Sequence, residues 1–173
     1  PGSTGCVHMS VVKAANGRLL AFFRSRWADH VYTSQSTDNG RHWSEPQATE
    51  LPNNNSSIQV TRLWNGHLAI VYNDMSAAQA SERRVSLYDE IEDDEASTSP
   101  AAESTPSVGG RTAFWGAPRA PMTIAISEDD GKTWPRKRNL ETGDGYGMTN
   151  NSEQQLNREY SYPSIQQTSD GTI

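Results

Sequence analysis

The chain has 173 residues, of which 34% are hydrophobic, with 13 glycines, 9 prolines and a formal net charge of −6. That length suits one ordinary domain with a real core, and the acidic balance argues against a nucleic-acid partner, which requires a basic field. Cys6 is the single cysteine, so no intrachain disulfide forms, and neither a signal peptide nor an apolar run near the roughly 18 residues of a membrane helix is visible.

In chain order, MSVVKAA (9–15) and RLLAFFRS (18–25) read as two strands meeting at Asn16-Gly17. A third, DHVYTSQS (29–36), runs into the octet STDNGRHW (36–43), and PQATEL (46–51) follows as a fourth. The pattern then repeats: SIQVTRL (57–63) and HLAIVYND (67–74) meet at Asn65-Gly66, APMTIAIS (120–127) runs into SEDDGKTW (127–134), and a further segment follows Trp134. A third round opens with SYPSIQQTSDGTI (161–173), where Asp170-Gly171 marks the turn. Asn-Gly or Asp-Gly between apolar segments is the strongest short-range hairpin signal, expected here as two-residue turns with positive φ at both positions.

Gly17 and Gly40 are 23 positions apart, whereas Gly66 and Gly131 are 65 apart. The second round therefore carries extra chain, and the acidic, Ser/Pro-rich segment 88–110 lies within it. From Asp89 to Gly110 there are seven acids and no base, so setting them aside changes the net charge from −6 to +1. Such a composition cannot bury enough apolar surface to offset its ordering entropy, which makes it a mobile surface insertion. The remainder is nearly neutral and is compatible with an anionic small substrate.

The two octets share Ser-x-Asp-x-Gly-x-x-Trp: Ser36, Asp38, Gly40 and Trp43, then Ser127, Asp129, Gly131 and Trp134. The chemistry of each residue suits a corner. An aspartate hydrogen-bonds its own turn, a glycine takes a left-handed conformation, and a tryptophan packs back between strands. A cation held by Asp129 and Asp130 is the functional alternative. Four-stranded antiparallel units of roughly 40 to 50 residues, repeated, indicate a β-propeller.

The octet resembles the Asp box of sialidases and other BNR-repeat proteins, and it occurs twice, each time downstream of an Asn-Gly hairpin. The runs 51–74, 114–135 and 157–173 are also similar to sialidase-like proteins. The resemblance implies an all-β, six-bladed β-propeller of sialidase type with its active site at the central axis. Of that ring this chain would supply about two blades and the start of a third. The expected boundaries are about 9–52, about 56–142 with the insertion 88–110, and 158–173. Six blades need about 300 residues.

The implied activity is an exo-glycosidase that retains configuration and acts on terminal sialic acid or another acidic sugar of glycoconjugates. Its partner would be carbohydrate, with no cofactor and no metal. Sialidases use a tyrosine nucleophile, which needs a neighbouring base, an arginine cluster for the substrate carboxylate and an acid/base. The resemblance places the tyrosine eight residues before the Asp of a D-G-T-I turn, at Tyr162, with Tyr160 on the same face if the strand is regular. Glu159 is the acid beside them, on the opposite face of a regular strand, as their partner or as a solvent-facing or arginine-paired glutamate. The family's usual glutamate register falls on Ser57, and its R-I-P signature does not occur in the chain. Arg24 and Arg26 end the second strand on one face, as a substrate-binding pair or as paired surface charges. Arg62 is a further substrate-binding candidate, and Arg119 is assigned loop support. Asp29 is the candidate acid/base. The run LPNNNSSIQ, with Asn54 and Asn55, suits a hydroxyl-rich ligand or simply a turn. The four histidines, His8, His30, His42 and His67, show no metal-ligand spacing. A non-catalytic propeller that binds glycans or protein is the alternative of a different class.

Overall fold

The computed structural model describes residues 5–81, 111, 113–142 and 160–173. The stretch 88–110, read above as a mobile insertion, and Glu159 lie outside the described residues. Eight strands follow one another: β1 (Cys6–Lys13), β2 (Leu19–Ser25), β3 (His30–Ser36), β4 (Gln47–Pro52), β5 (Gln59–Arg62), β6 (Leu68–Asn73), β7 (Met122–Ser127) and β8 (Arg136–Glu141). They form two four-stranded antiparallel sheets in the orders β1-β2-β3-β4 and β5-β6-β7-β8. Among the described residues there is no helix, and so none long and apolar enough to cross a membrane. The eight strands expected for the first two rounds are present, whereas no regular strand forms in the third, 161–173.

The hairpins form where the Asn-Gly and Asp-Gly pairs stand, but with a different turn. In the first, the Ala14 N–H donates to Arg18 O at 2.8 Å and Gly17 N–H to Ala14 O at 3.0 Å. Leu63, His67 and Gly66 repeat both bonds at 2.9 Å, and Thr168, Thr172 and Gly171 repeat them at 2.8 and 3.0 Å. The middle residue of each loop, Asn16, Asn65 or Asp170, accepts at its side-chain oxygen from the N–H two positions on. Only the glycine has positive φ, at 86°, 89° and 90°. The loops are therefore three residues long, a type I turn closed by a left-handed glycine, rather than the expected two-residue turn. The Asn or Asp side chain stabilises the type I geometry and has no need of the left-handed region itself.

The octets close the third strand of each sheet in matching ways. Ser36 Oγ donates to Asp38 Oδ1 at 2.8 Å and accepts from Gly40 N at 2.9 Å. Ser127 Oγ does the same with Asp129 and Gly131, both at 2.8 Å. Asp38 and Asp129 then take the N–H of the residue four positions on, His42 and Thr133, each at 2.9 Å. Two consecutive residues are left-handed in each corner, Asn39-Gly40 and Asp130-Gly131. The side-chain oxygens of Asp129 are all engaged by protein donors, and Asp130 faces Arg18 and Arg62 at 3.5 and 3.6 Å. This arrangement makes the corner a folding device.

The sheets share one core, which includes Leu20, Phe22, Val31 and Leu51 from the first and Ile58, Val60, Leu68, Ile70 and Tyr72 from the second. Trp134 is 1% exposed and meets Phe22 edge to face, with ring centroids 5.9 Å apart. The backbone N–H of Trp134 donates to Glu50 Oε1 on β4 at 2.5 Å. Trp43, its counterpart in the first octet, is only half-buried. All six residues of β6 are buried, which explains its nearly continuous apolar run where an alternating pattern would mark one wet face. The edge strands β1 and β5 adjoin, with Ser10 Oγ accepting from Val60 N at 3.0 Å. Segment 160–173 comes next, Ile165 N–H donating to Gln59 Oε1 at 2.8 Å.

Candidate functional site

Antiparallel pairing brings the start of each sheet's first strand beside the end of its second. Val7 on β1 lies opposite Arg24 on β2. Between the pairs Val7–Arg24 and Ser10–Phe22, His8 and Met9 oppose Phe23 alone, which is a β-bulge. His8 there has φ 51°, a left-handed conformation that histidine adopts more readily than most residues. Its imidazole is exposed, and the ring lies 6.5 Å from that of Tyr162, centroid to centroid. Arg119 stands behind Tyr162, its Cζ 6.0 Å from the ring centroid. Burial and the charges of Arg24 and Arg26 lower the His8 pKa below its ordinary 6.5. Four cationic or titratable side chains and one phenol, from four separate parts of the chain, thus meet at one rim.

Arg24 and Arg26 do not form an alternating pair on one strand. β2 ends at Ser25, and Arg26 opens the following turn, exposed, its N–H donating to Gly5 O at 3.0 Å. Arg24 is only 8% exposed, its Nε has no hydrogen-bond partner, and among the described residues no carboxylate pairs with it. A buried guanidinium without a counter-charge costs several kcal/mol, so its position calls for a functional explanation.

The expectation that Tyr160 and Tyr162 share a strand face is corrected. No regular strand forms there, and Tyr162 has φ 55°, which breaks alternation. Tyr160 is held by its backbone, its N–H donating to Arg119 O at 2.8 Å and its carbonyl accepting from Asn73 Nδ2 at 3.0 Å. Tyr162 is 62% exposed and is the tyrosine whose ring joins the cluster.

Asn54 and Asn55 sit near the rim but are buried. Asn54 Nδ2 donates to Pro118 O at 2.7 Å and Asn55 Nδ2 to Phe114 O at 2.9 Å. Asn53 ties the same loop to β2, its Oδ1 accepting from Ser25 N at 2.9 Å and Asn55 N at 3.0 Å. The asparagine run therefore supports segment 113–120, and Phe114 N–H in turn donates to Arg26 O at 2.7 Å. Between those ties Trp115 remains 41% exposed.

Arg62 is at the other end of its sheet. It donates to Lys13 O at 2.9 Å and faces Asp130, away from the rim. β5 is four residues long and Arg62 is its last, beside the Gly66 hairpin, so it cannot reach the cluster at the strand's start.

Asp29 is on the rim and fully engaged. Its carboxylate accepts from His30 N at 2.7 Å and Tyr32 Oη at 2.9 Å, and pairs with Arg111 at 3.1 Å. Arg111 lies over the Trp27 ring, 4.2 Å from its centroid. Burial pushes the Asp29 carboxyl up, but hydrogen bonds from Ser25, His30 and Tyr32 and the Arg111 charge outweigh it, holding the group below its ordinary range. Trp27 also explains Gly5, where a Cβ would meet the indole at 2.8 Å.

A family model described as a BNR repeat-like domain matches residues 1–173. No curated protein matches the sequence. Among solved structures, the α-L-arabinanase of Penicillium chrysogenum complexed with arabinobiose is similar at 14% identity and a TM-score of 0.44, over 83% of this chain and 36% of that one. The chain thus spans about a third of that protein's length.

Proposed function

The chain belongs to the BNR repeat-like domain family, and from that premise we propose that it is part of a six-bladed sialidase-type propeller that hydrolyses a terminal acidic sugar at the rim of its inner strands. In this reading the two sheets are successive blades, β1 and β5 are their innermost strands, and residues 160–173 begin a third. The observation that carries it is Arg24, buried, with its Nε unsatisfied and no carboxylate pairing with it among the described residues, opposite Val7 and so next to the His8 bulge. A planar guanidinium matches a carboxylate bidentately, and a sugar carboxylate would supply the missing counter-charge.

Tyr162 is the proposed nucleophile. Its Oη forms a bond to the anomeric carbon as the glycosidic bond breaks, and water then releases the sugar with net retention. A phenol avoids setting a carboxylate nucleophile against the substrate's own carboxylate. Glu159 is proposed as the base that takes the phenol proton. Asp29 is reassigned: a general acid must hold a proton near neutrality, whereas this carboxyl is held ionised by four interactions. Its proposed role is to fix the Trp27–Arg111 side of the rim.

The test is release of a chromogenic leaving group from an aryl sialoside and an aryl glucuronide. Tyr162→Phe should abolish release while leaving acid-sugar binding intact, and Arg24→Gln should weaken binding of both acids. The burial of Asn54 and Asn55 and the engagement of Asp29 favour a second reading, a glycan-binding propeller without turnover, since these candidate polar groups serve the scaffold. Equal binding and no release by either the wild type or Tyr162→Phe would establish it.

A further inference from the structure

The sequence marks His8 only as a histidine without metal spacing, and the proposed mechanism does not use it. Three features of its setting bear on function. The bulge in β1 turns it out of the ladder, in a left-handed conformation that the sheet itself does not require. It follows Val7, which pairs with Arg24, and lies within reach of the charges of Arg24 and Arg26. Its ring also faces Tyr162 from the opposite side of the rim, with Arg119 behind. Among the described residues, the charged and titratable groups around it are therefore Arg24 and Arg26 from β2 and its turn, Tyr162 and, beyond it, Arg119, with Cys6 on its own strand. None is an acid. Among the described residues, a histidine surrounded by cations and a phenol meets no group that would stabilise its protonated form, whereas an anion seated on Arg24 would.

We propose that His8 is a proton-dependent third cation of the anion site formed with Arg24 and Arg26, so that binding of an acidic sugar is coupled to uptake of one proton by the His8 imidazole. The proposal rests on the acid-sugar reading above and adds to it a binding residue and a linkage. Without ligand, the neighbouring arginines keep the imidazole neutral near pH 7, in agreement with its lowered pKa. A bound carboxylate reverses the local field and raises that pKa. Linkage then requires the affinity for the acid to rise as pH falls between the bound and free values, by at most about tenfold per pH unit for one proton. Below the free value, both states are protonated and the affinity levels off. A neutral sugar makes no such demand on the imidazole, so discrimination between an acidic sugar and its neutral counterpart should widen on acidification.

The test uses glucuronate and N-acetylneuraminate as probe acids, with glucose as the neutral counterpart of the first. Dissociation constants are measured by calorimetry between pH 5 and 8 for the wild type and for His8→Asn, which tolerates the left-handed backbone. The wild type should bind both acids more tightly toward pH 5, while glucose binding stays flat. His8→Asn should keep its pH 8 affinity and lose the slope. In the proton spectrum, the imidazole signal absent from His8→Asn should titrate below 6.5 in the free protein and above its free value with saturating acid. Equal slopes in the two proteins, or a His8 midpoint that does not move while the acid binds, would overturn the proton coupling and leave the acid-sugar reading standing. Absence of acid binding at every pH would overturn both.

Discussion

The two octets provide a controlled comparison, because their glycines share a backbone conformation and differ in what surrounds them. Gly40 and Gly131 have φ of 85° and 82°. An alanine at either carries the left-handed penalty of about 1–2 kcal/mol. At Gly40 the added Cβ meets Leu19 at 3.6 Å and Trp43 at 3.7 Å, ordinary contacts at a half-open corner. At Gly131 it meets the Phe22 ring at 2.6 Å, and Phe22 is fully buried against Trp134. Relieving that overlap means displacing an aromatic ring in a packed core, about 1–3 kcal/mol more. Gly40→Ala is therefore expected to cost about 1–2 kcal/mol and Gly131→Ala about 2–5 kcal/mol, read from urea unfolding. In a double-mutant cycle, Phe22→Ala should remove the excess at Gly131, giving a coupling of about 1–3 kcal/mol, and should leave Gly40→Ala unchanged. Equal costs at the two glycines, or no coupling to Phe22, would refute the claim that the second corner is wedged between the sheets.

Asn53→Ala leaves the buried N–H groups of Ser25 and Asn55 without acceptors and should destabilise by about 2–6 kcal/mol in urea unfolding, taking the unpaired groups at about 1–3 kcal/mol each. The Asp129 carboxyl, which burial would raise, is brought from 3.8 to about 2 by hydrogen bonds from Thr133, Ser127 and Lys132. A depressed folded-state pKa stabilises above the unfolded value and is lost as pH falls through the folded one. Asp129→Asn should therefore cost no more than about 1 kcal/mol at pH 7, and thermal melts should show the difference closing as pH approaches 2; a constant difference would rule the linkage out. Asp29→Asn should lower the melting temperature and loosen Arg111 without abolishing glycoside release. Full loss of turnover at unchanged stability would restore it as the acid/base.

Most of the fold was legible because its signals are local. Asn16-Gly17, Asn65-Gly66 and Asp170-Gly171 each close a loop with bonds spanning at most four residues, and each octet satisfies its corner from within eight. The turn type was misread because an Asn-Gly pair serves either a two-residue turn or a type I turn with a left-handed glycine. Which of these forms depends on where the flanking strands stop pairing. The candidate site was legible in part: Tyr162 stands by His8 on β1, one residue from the Val7–Arg24 pair. The sharing of a face by Tyr160 and Tyr162, the reach of Arg62 to the rim and the openness of Asn54, Asn55 and Asp29 did not hold, because each assumed regular alternation or an exposed loop.

Residue order alone was enough for eight strands, three glycine turns and two tryptophan corners, since these arise from hydrogen bonds and φ preferences within a few positions. Only the folded chain decided which polar groups serve the scaffold and which face outward. Asn54 is used by Pro118 and Asn55 by Phe114, Asp29 is held by Arg111, and His8 meets Tyr162. Those pairings join residues more than fifty positions apart, and they come into being only when two sheets pack and bring distant loops to one rim.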